Sequence, residues 1–156
     1  MNHQFKKKFG QNFIRDENLL KKIVQLAGIE NSFVVEIGPG MGALTKHLIK
    51  TAKKVTAFEI DHSLKPALDE IAKTDNTLEV IYQDILSVDL GDIKEPFHVI
   101  GNIPYNITTP IIFKLAEIEQ IQSITLMMQE EVGHRIAAQP NTKEYNALSV
   151  ILQYQY

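Results

Sequence analysis

Apolar positions along this chain follow two alternating rhythms. Short continuous apolar runs end in Gly, Asn or Asp, and between them Leu, Ile and Val recur every three or four residues. Residues 33–40, FVVEIGPG, form one such run and pass into a Gly loop. The pattern predicts a buried strand there, then a helix over 43–52 with Leu44 and Leu48 on one face. A second strand is expected over 54–61 and a helix over 63–73, where Leu64, Leu68 and Ile71 share a face and Ser63 is the expected N-cap. Further strands are expected at 78–85, 97–105, 123–129 and 149–156. A helix over 108–117 is expected to take Thr109 as its cap and Pro110 as its first residue, and another helix covers 130–139. Ahead of the first strand, residues 16–28 read as an amphipathic helix ending at Gly28. Continuous apolar strands alternating with helices predict an α/β fold with a mostly parallel central sheet flanked by helices.

Composition narrows the class. The 156 residues suffice for one domain with a real core, and 44% apolar with 22% charged residues is an ordinary globular balance. There is no Cys, so disulfides and thiolate metal sites are excluded, and the five His are scattered without ligand spacing, so no metal is expected. No apolar run reaches membrane-spanning length and no signal-peptide core follows the N-terminal charges, which predicts a cytoplasmic protein, or an organelle-matrix one if a targeting segment has been removed. The formal net charge of −3 does not advertise a nucleic-acid partner. Lys6, Lys7 and Lys8 form a local basic run, which by itself reads as a solvated terminus.

The candidate chemistry sits at the strand ends, where open α/β sheets bind ligands. Gly38, Gly40 and Gly42 give the spacing G-x-G-x-G rather than the dinucleotide G-x-G-x-x-G. Glu36 puts an acid just before that loop, an awkward neighbour for a pyrophosphate. Glu59 ends the second strand, where a carboxylate can accept both hydroxyls of a ribose, and Asp84 ends the third, where one can accept from an adenine amino group. Ile60 and Ile85 are placed to sandwich the ring. Acids around a Gly loop with no Lys or Arg suit a nucleoside that has positive charge and no phosphates. S-adenosylmethionine has that composition.

The fourth strand runs into Asn102-Ile103-Pro104-Tyr105. The Asn102 amide and the carbonyl near Pro104 can accept both N–H bonds of an exocyclic amine. Holding those bonds out of the ring plane favours a tetrahedral nitrogen and aims its lone pair outward, which is catalysis by positioning and electrostatics. No general base is needed before attack, because the proton becomes acidic only after alkylation. Tyr105 offers a stacking face to a base that has left its stack.

At these residues the sequence resembles the rRNA adenine N6,N6-dimethyltransferases, and within them the KsgA-type small-subunit enzymes. The matching segments are KKFGQNFIRD, VVEIGPGMGALT, FEID, YQDIL, GNIPYNITTPIIFKL and MMQEEVGHRIAAQPNTKEYNALSVILQY, which cover nearly the whole chain. The resemblance implies a Rossmann-like methyltransferase fold. It also implies transfer of methyl groups from S-adenosylmethionine to N6 of two adjacent adenines near the 3′ end of 16S rRNA, on immature 30S-type subunits during ribosome biogenesis. It places cofactor contacts at Asn12, Ile14, Gly38, Glu59, Asp84 and Asn102, and the catalytic tetrapeptide at Asn102, Ile103, Pro104 and Tyr105. The FGQNF segment is then a lid over the cofactor, and Lys6 to Lys8 become an RNA-facing edge. Family proteins continue into an F-x-P-x-P-type motif and a small helical domain, so residues 1–156 are expected to be the catalytic domain without its last strand or that second domain. A monomer is expected. Two neighbouring readings remain: an Erm-type 23S rRNA methyltransferase with the same chemistry, and a non-catalytic RNA-binding assembly or transcription factor of the same fold. A nucleotide-dependent dehydrogenase is disfavoured by the Gly spacing and the acidic pocket.

Overall fold

The structure is a computed structural model, and it describes residues 14–103 and 105–143. Five strands, β1 (Phe33–Ile37), β2 (Lys54–Phe58), β3 (Leu78–Ile81), β4 (Phe97–Asn102) and β5 (Ile121–Met127), form one sheet in the order β3-β2-β1-β4-β5. All four pairings are parallel. Residues 149–156, the expected last strand, lie outside the described residues, as does the Lys6–Lys8 run.

Central β1 is buried along its whole length, which explains a run that is apolar except for Glu36. One face of the sheet packs Val34, Val55, Ala57 and Ile100 against Leu20 and Val24 of helix α1 (Glu17–Ala27) and against Leu48 and Ile71. The opposite face packs Val35, Ile37, Phe58 and Val99 against Ile111 and Leu115 of α4 (Thr108–Ala116). Among the described residues no helix is long and apolar enough to cross a membrane.

Helix α1 begins and ends where its capping residues dictate. Asp16 accepts from the Asn18 and Leu19 backbone N–H groups at 3.0 and 3.1 Å, and Gly28 closes the helix at φ 60°. Three sequence expectations need correction. Only Thr45–Leu48 (α2) of the expected 43–52 helix is regular, because the Gly loop is still turning through Leu44. Ser63 is not an N-cap. Asp61 takes that role by accepting from the Ser63 N–H at 3.0 Å, starting a short 3₁₀ turn at His62–Leu64 that leads into α3 (Lys65–Thr74). Helix α4 starts at Thr108, so Thr109 lies in its first turn and Pro110 is its third residue, where a missing N–H still breaks no helical bond. The last described helix, α5 (Glu130–Ala137), follows β5 with no buried residue of its own.

Candidate active site

The sheet order puts four chemically distinct strand tips side by side. Reading across β3, β2, β1 and β4, the tips carry Asp84, Glu59, the Gly loop and Asn102. All four border one cavity of about 300 Å³, whose lining also includes Ile14, Ile60 and Ile85. That volume is at the lower end of the range of small-ligand sites.

The Gly loop is held open by backbone geometry. Gly38, Gly40 and Gly42 all have positive φ, at 67°, 60° and 81°. The Gly38 N–H donates to the Phe58 carbonyl at 3.0 Å, which ties the end of β1 to β2. A Cβ on Gly38 would stand 3.3 Å from the Asn102 carbonyl oxygen, so the loop and the Asn102 corner meet with no room for a side chain.

Glu59 is 3% exposed, and both of its oxygens are occupied from one side. Oε2 accepts from the Gly40 N–H at 3.1 Å and Oε1 from the Asp61 N–H at 2.8 Å. The carboxylate therefore fixes the Gly loop as well as the tip of β2. A carboxylate has about four lone-pair sites, so acceptor capacity remains for a ligand hydroxyl. Burial raises the Glu59 pKa, the donated backbone N–H bonds pull it back, and nearby Asp61 raises it further.

Asp84 caps a 3₁₀ turn, Ile85–Ser87, by accepting from the Leu86 N–H at 2.9 Å through Oδ1. That cap fixes the acid at the end of β3. Ile85 is buried beneath it, and Ile60 is half-buried at the β2 tip. Asn102 is the last residue of β4 and is half-buried; the next residue donates from its N–H to the Met127 carbonyl at 3.2 Å. Tyr105 opens a 3₁₀ turn at Tyr105–Ile107. Asn12, Pro104 and the Tyr105 side chain lie outside the described residues.

Sequence reasoning missed three contributors. Arg15, exposed, lines the cavity mouth and brings a cation to a site expected to hold only acids. Its position directly before the Asp16 cap was the available signal. Met127 also lines the cavity, from the end of β5. Thr45 is buried, and its hydroxyl donates to Glu36 Oε2 at 2.8 Å. Nothing local in the sequence announces that contact.

Glu36 itself departs from expectation. The sequence gives it as a negative charge beside the loop. In the fold it is 1% exposed, and burial pushes its carboxyl up to about 8, against a smaller opposing effect of the Thr45 hydroxyl; the Glu59 charge adds to the rise. Glu36 is therefore mostly protonated at neutral pH.

This has a stability consequence with a definite sign. Between the ordinary carboxyl value of 4.5 and about 8, the unfolded chain has lost this proton while the folded chain retains it. Stability therefore falls as pH rises through that window and levels off above it. Glu36→Gln removes the titration. It is expected to flatten this part of the pH–stability curve and to gain stability at pH 8 relative to wild type. The ceiling is about 5 kcal/mol, from a shift worth about 1.4 kcal/mol per pH unit. Urea unfolding at pH 5 and pH 8 checks it; parallel curves for the two proteins would contradict the assignment.

With this geometry established, relatives can be placed. The sequence model of the family described as ribosomal RNA adenine dimethylase matches residues 2–156. The chain belongs to that family. A curated dimethylase-family relative, ribosomal RNA small subunit methyltransferase A of Aster yellows witches'-broom phytoplasma, is 50% identical over 100% of this chain and 60% of its own length. The crystal structure of a dimethyladenosine transferase from Plasmodium falciparum superposes with a TM-score of 0.82 at 30% identity, covering 91% of this chain and 52% of that one. The 23S rRNA methyltransferase ErmE superposes with a TM-score of 0.74 at 34% identity, covering 80% of this chain and 50% of that one. The fold is thus the Rossmann-like methyltransferase fold, and the chain spans about 60% of the length of the phytoplasma relative.

Proposed function

We propose that this dimethylase-family chain is the catalytic domain of an S-adenosylmethionine-dependent enzyme that dimethylates N6 of two adjacent adenines in small-subunit rRNA, acting on immature 30S-type particles in the cytoplasm. The observation that carries the reading is the run of four neighbouring strand tips around one cavity, with a Gly loop, two acids and an amide in the order that a nucleoside and its reacting partner require.

The residues fit the cofactor. Glu59 retains acceptor capacity for a ribose hydroxyl, Asp84 stands one strand further out for an adenine amino group, and Ile60 and Ile85 supply apolar surface for the ring. Gly38, at φ 67°, lets the loop backbone lie tight against the Asn102 corner at the cavity edge. Ile14 lines the same cavity, and the family resemblance adds Asn12 as a cofactor contact. When bound, S-adenosylmethionine supplies a methyl group activated on a sulfonium sulfur. On the acceptor side, Asn102 and the carbonyl near Pro104 hold the two N–H bonds of the adenine amine. Tyr105 stacks on the extruded base.

Glu59→Ala is expected to weaken S-adenosylmethionine binding by about 10- to 100-fold, the scale of one or two lost hydrogen bonds to a charged acceptor. It also releases the Gly40 and Asp61 N–H groups. Calorimetric titration measures it, and unchanged affinity would remove Glu59 from the site.

The Erm-type reading shares this chemistry and differs in the RNA. The 50% identity to a small-subunit relative, against 34% to ErmE, favours the small subunit. Primer extension on rRNA from cells expressing the protein decides it: stops at the paired adenines of 16S rRNA are expected, and stops only in 23S rRNA would reverse the choice. Because the relatives are longer, residues 1–156 alone are expected to bind S-adenosylmethionine yet methylate immature subunits far more slowly than the full-length protein. Equal rates from both would show that no further domain contributes to RNA binding.

A further inference from the structure

The cavity is lined by a fully buried acid that the proposed chemistry leaves unused. Glu36 lies in the middle of the sheet at 1% exposure and lines the cavity two residues before Gly38. Its Oε2 accepts from the Thr45 hydroxyl at 2.8 Å, and no described residue bonds its Oε1. We infer that Glu36 is a charge sensor for the cofactor, giving up its proton when a cationic sulfonium ligand occupies the cavity and keeping it when the neutral thioether product does. This rests on the S-adenosylmethionine reading of the site and deepens it.

The surroundings support a proton that moves with ligand charge. A buried acid with one hydroxyl donor is poorly compensated as an anion, and burial holds its pKa near 8. The titratable groups on the elements around it leave that balance unrelieved. Glu59, from the tip of β2, raises it further, with Asp61 close behind Glu59. Asp84 lines the same cavity from β3. Arg15, ahead of α1, is at the exposed mouth. From α2, His47 is engaged with Glu17 of α1 at 2.7 Å. From β4, His98 is bonded to Ser123 of β5 at 2.6 Å. A ligand bearing a fixed positive charge supplies the compensation that these groups do not. The thioether product keeps the ammonium and carboxylate that both ligands share but lacks the sulfonium charge, so it supplies less. On binding the cation, the Glu36 proton leaves to solvent; once the ligand has lost its sulfonium charge, the same carboxyl takes one proton back from solvent.

The consequence is selectivity with a pH signature. Below pH 8 the affinity for the sulfonium is expected to fall by up to about tenfold per pH unit, while affinity for the thioether stays flat with respect to Glu36. The device therefore favours substrate over product most strongly above neutral pH and helps the spent cofactor leave.

The test is isothermal titration of the full-length protein with S-adenosylmethionine and, separately, S-adenosylhomocysteine. Each titration is run at pH 7 in two buffers of different ionisation enthalpy, so that the proton count is read directly. The expected result is release of close to one proton with the sulfonium and none with the thioether. Glu36→Gln should abolish the difference. Thr45→Val, which removes the hydroxyl donor that stabilises the anion, should shift the onset of release to higher pH. Equal proton counts for both ligands in wild type would overturn the inference while leaving the cofactor assignment intact. Failure of either ligand to bind would overturn both.

Discussion

Asn102→Ala is expected to lower the methyl-transfer turnover number by about two to three orders of magnitude, while the dissociation constant for S-adenosylmethionine changes by less than about tenfold. The magnitude is that of removing one preorganised hydrogen-bond partner from a developing charge. The asymmetry follows from position. Asn102 ends β4, beside the Gly loop, on the opposite side of that loop from Glu59 and Asp84. In the proposed reaction its side chain holds the acceptor amine, whose N–H bonds need an acceptor most strongly as nitrogen becomes tetrahedral and its protons become acidic. An interaction that strengthens only along the reaction lowers kcat and kcat/KM together. Single-turnover kinetics with direct cofactor titration separate the two quantities. Loss of cofactor affinity as large as the loss of turnover would reassign Asn102 to the cofactor.

The second large effect is on the fold beneath the site. Gly101→Ala is expected to destabilise the protein by about 3 kcal/mol or more, at the upper end of overpacking costs in a closed core. Gly101 lies in β4, paired with Ile37 of β1 and Leu126 of β5. A Cβ built there would stand 2.5 Å from the Ile37 carbonyl oxygen and 3.1 Å from Ile37 Cβ. The first of these is backbone in the most buried strand of the sheet, so no rotamer change relieves it. Relief requires β1 and β4 to move apart, and Gly38 and Asn102 are the next residues along those strands. Denaturant unfolding should therefore show a lowered midpoint, and any folded population should bind cofactor more weakly. An unfolding free energy within about 0.5 kcal/mol of wild type would mean that the strands separate at little cost.

Both predictions draw on features that the sequence reveals unequally. The Asn-Ile-Pro-Tyr corner could be read directly, because an amide, a Pro and an aromatic ending an apolar run is an unusual local combination. Gly101, one residue earlier, looked like part of that motif. Its close approach to Ile37 is a contact between residues 64 positions apart in the chain, and no local pattern encodes it. The helix starts show the same boundary on a smaller scale. Asp16 and Gly28 capped α1 as their types require. At the 3₁₀ turn that leads into α3 two capping-competent residues, Asp61 and Ser63, stood two positions apart. The tie of Asp61 to Glu59 through its backbone N–H decided for Asp61.

By itself the sequence determined the alternation of strands and helices, the acids and Gly loop at the strand ends, and the family. Those signals live in side-chain periodicity and in short motifs, which depend on neighbours within a few residues. The tertiary structure alone decided that the sheet runs β3-β2-β1-β4-β5, so that four tips separated by up to 64 residues in sequence border one cavity. It alone turned Glu36 from a negative charge expected beside the loop into a buried, Thr45-bonded acid whose carboxyl is pushed up to about 8. Desolvation and close packing are set by what the rest of the chain brings alongside a residue, and that is fixed only when the sheet closes.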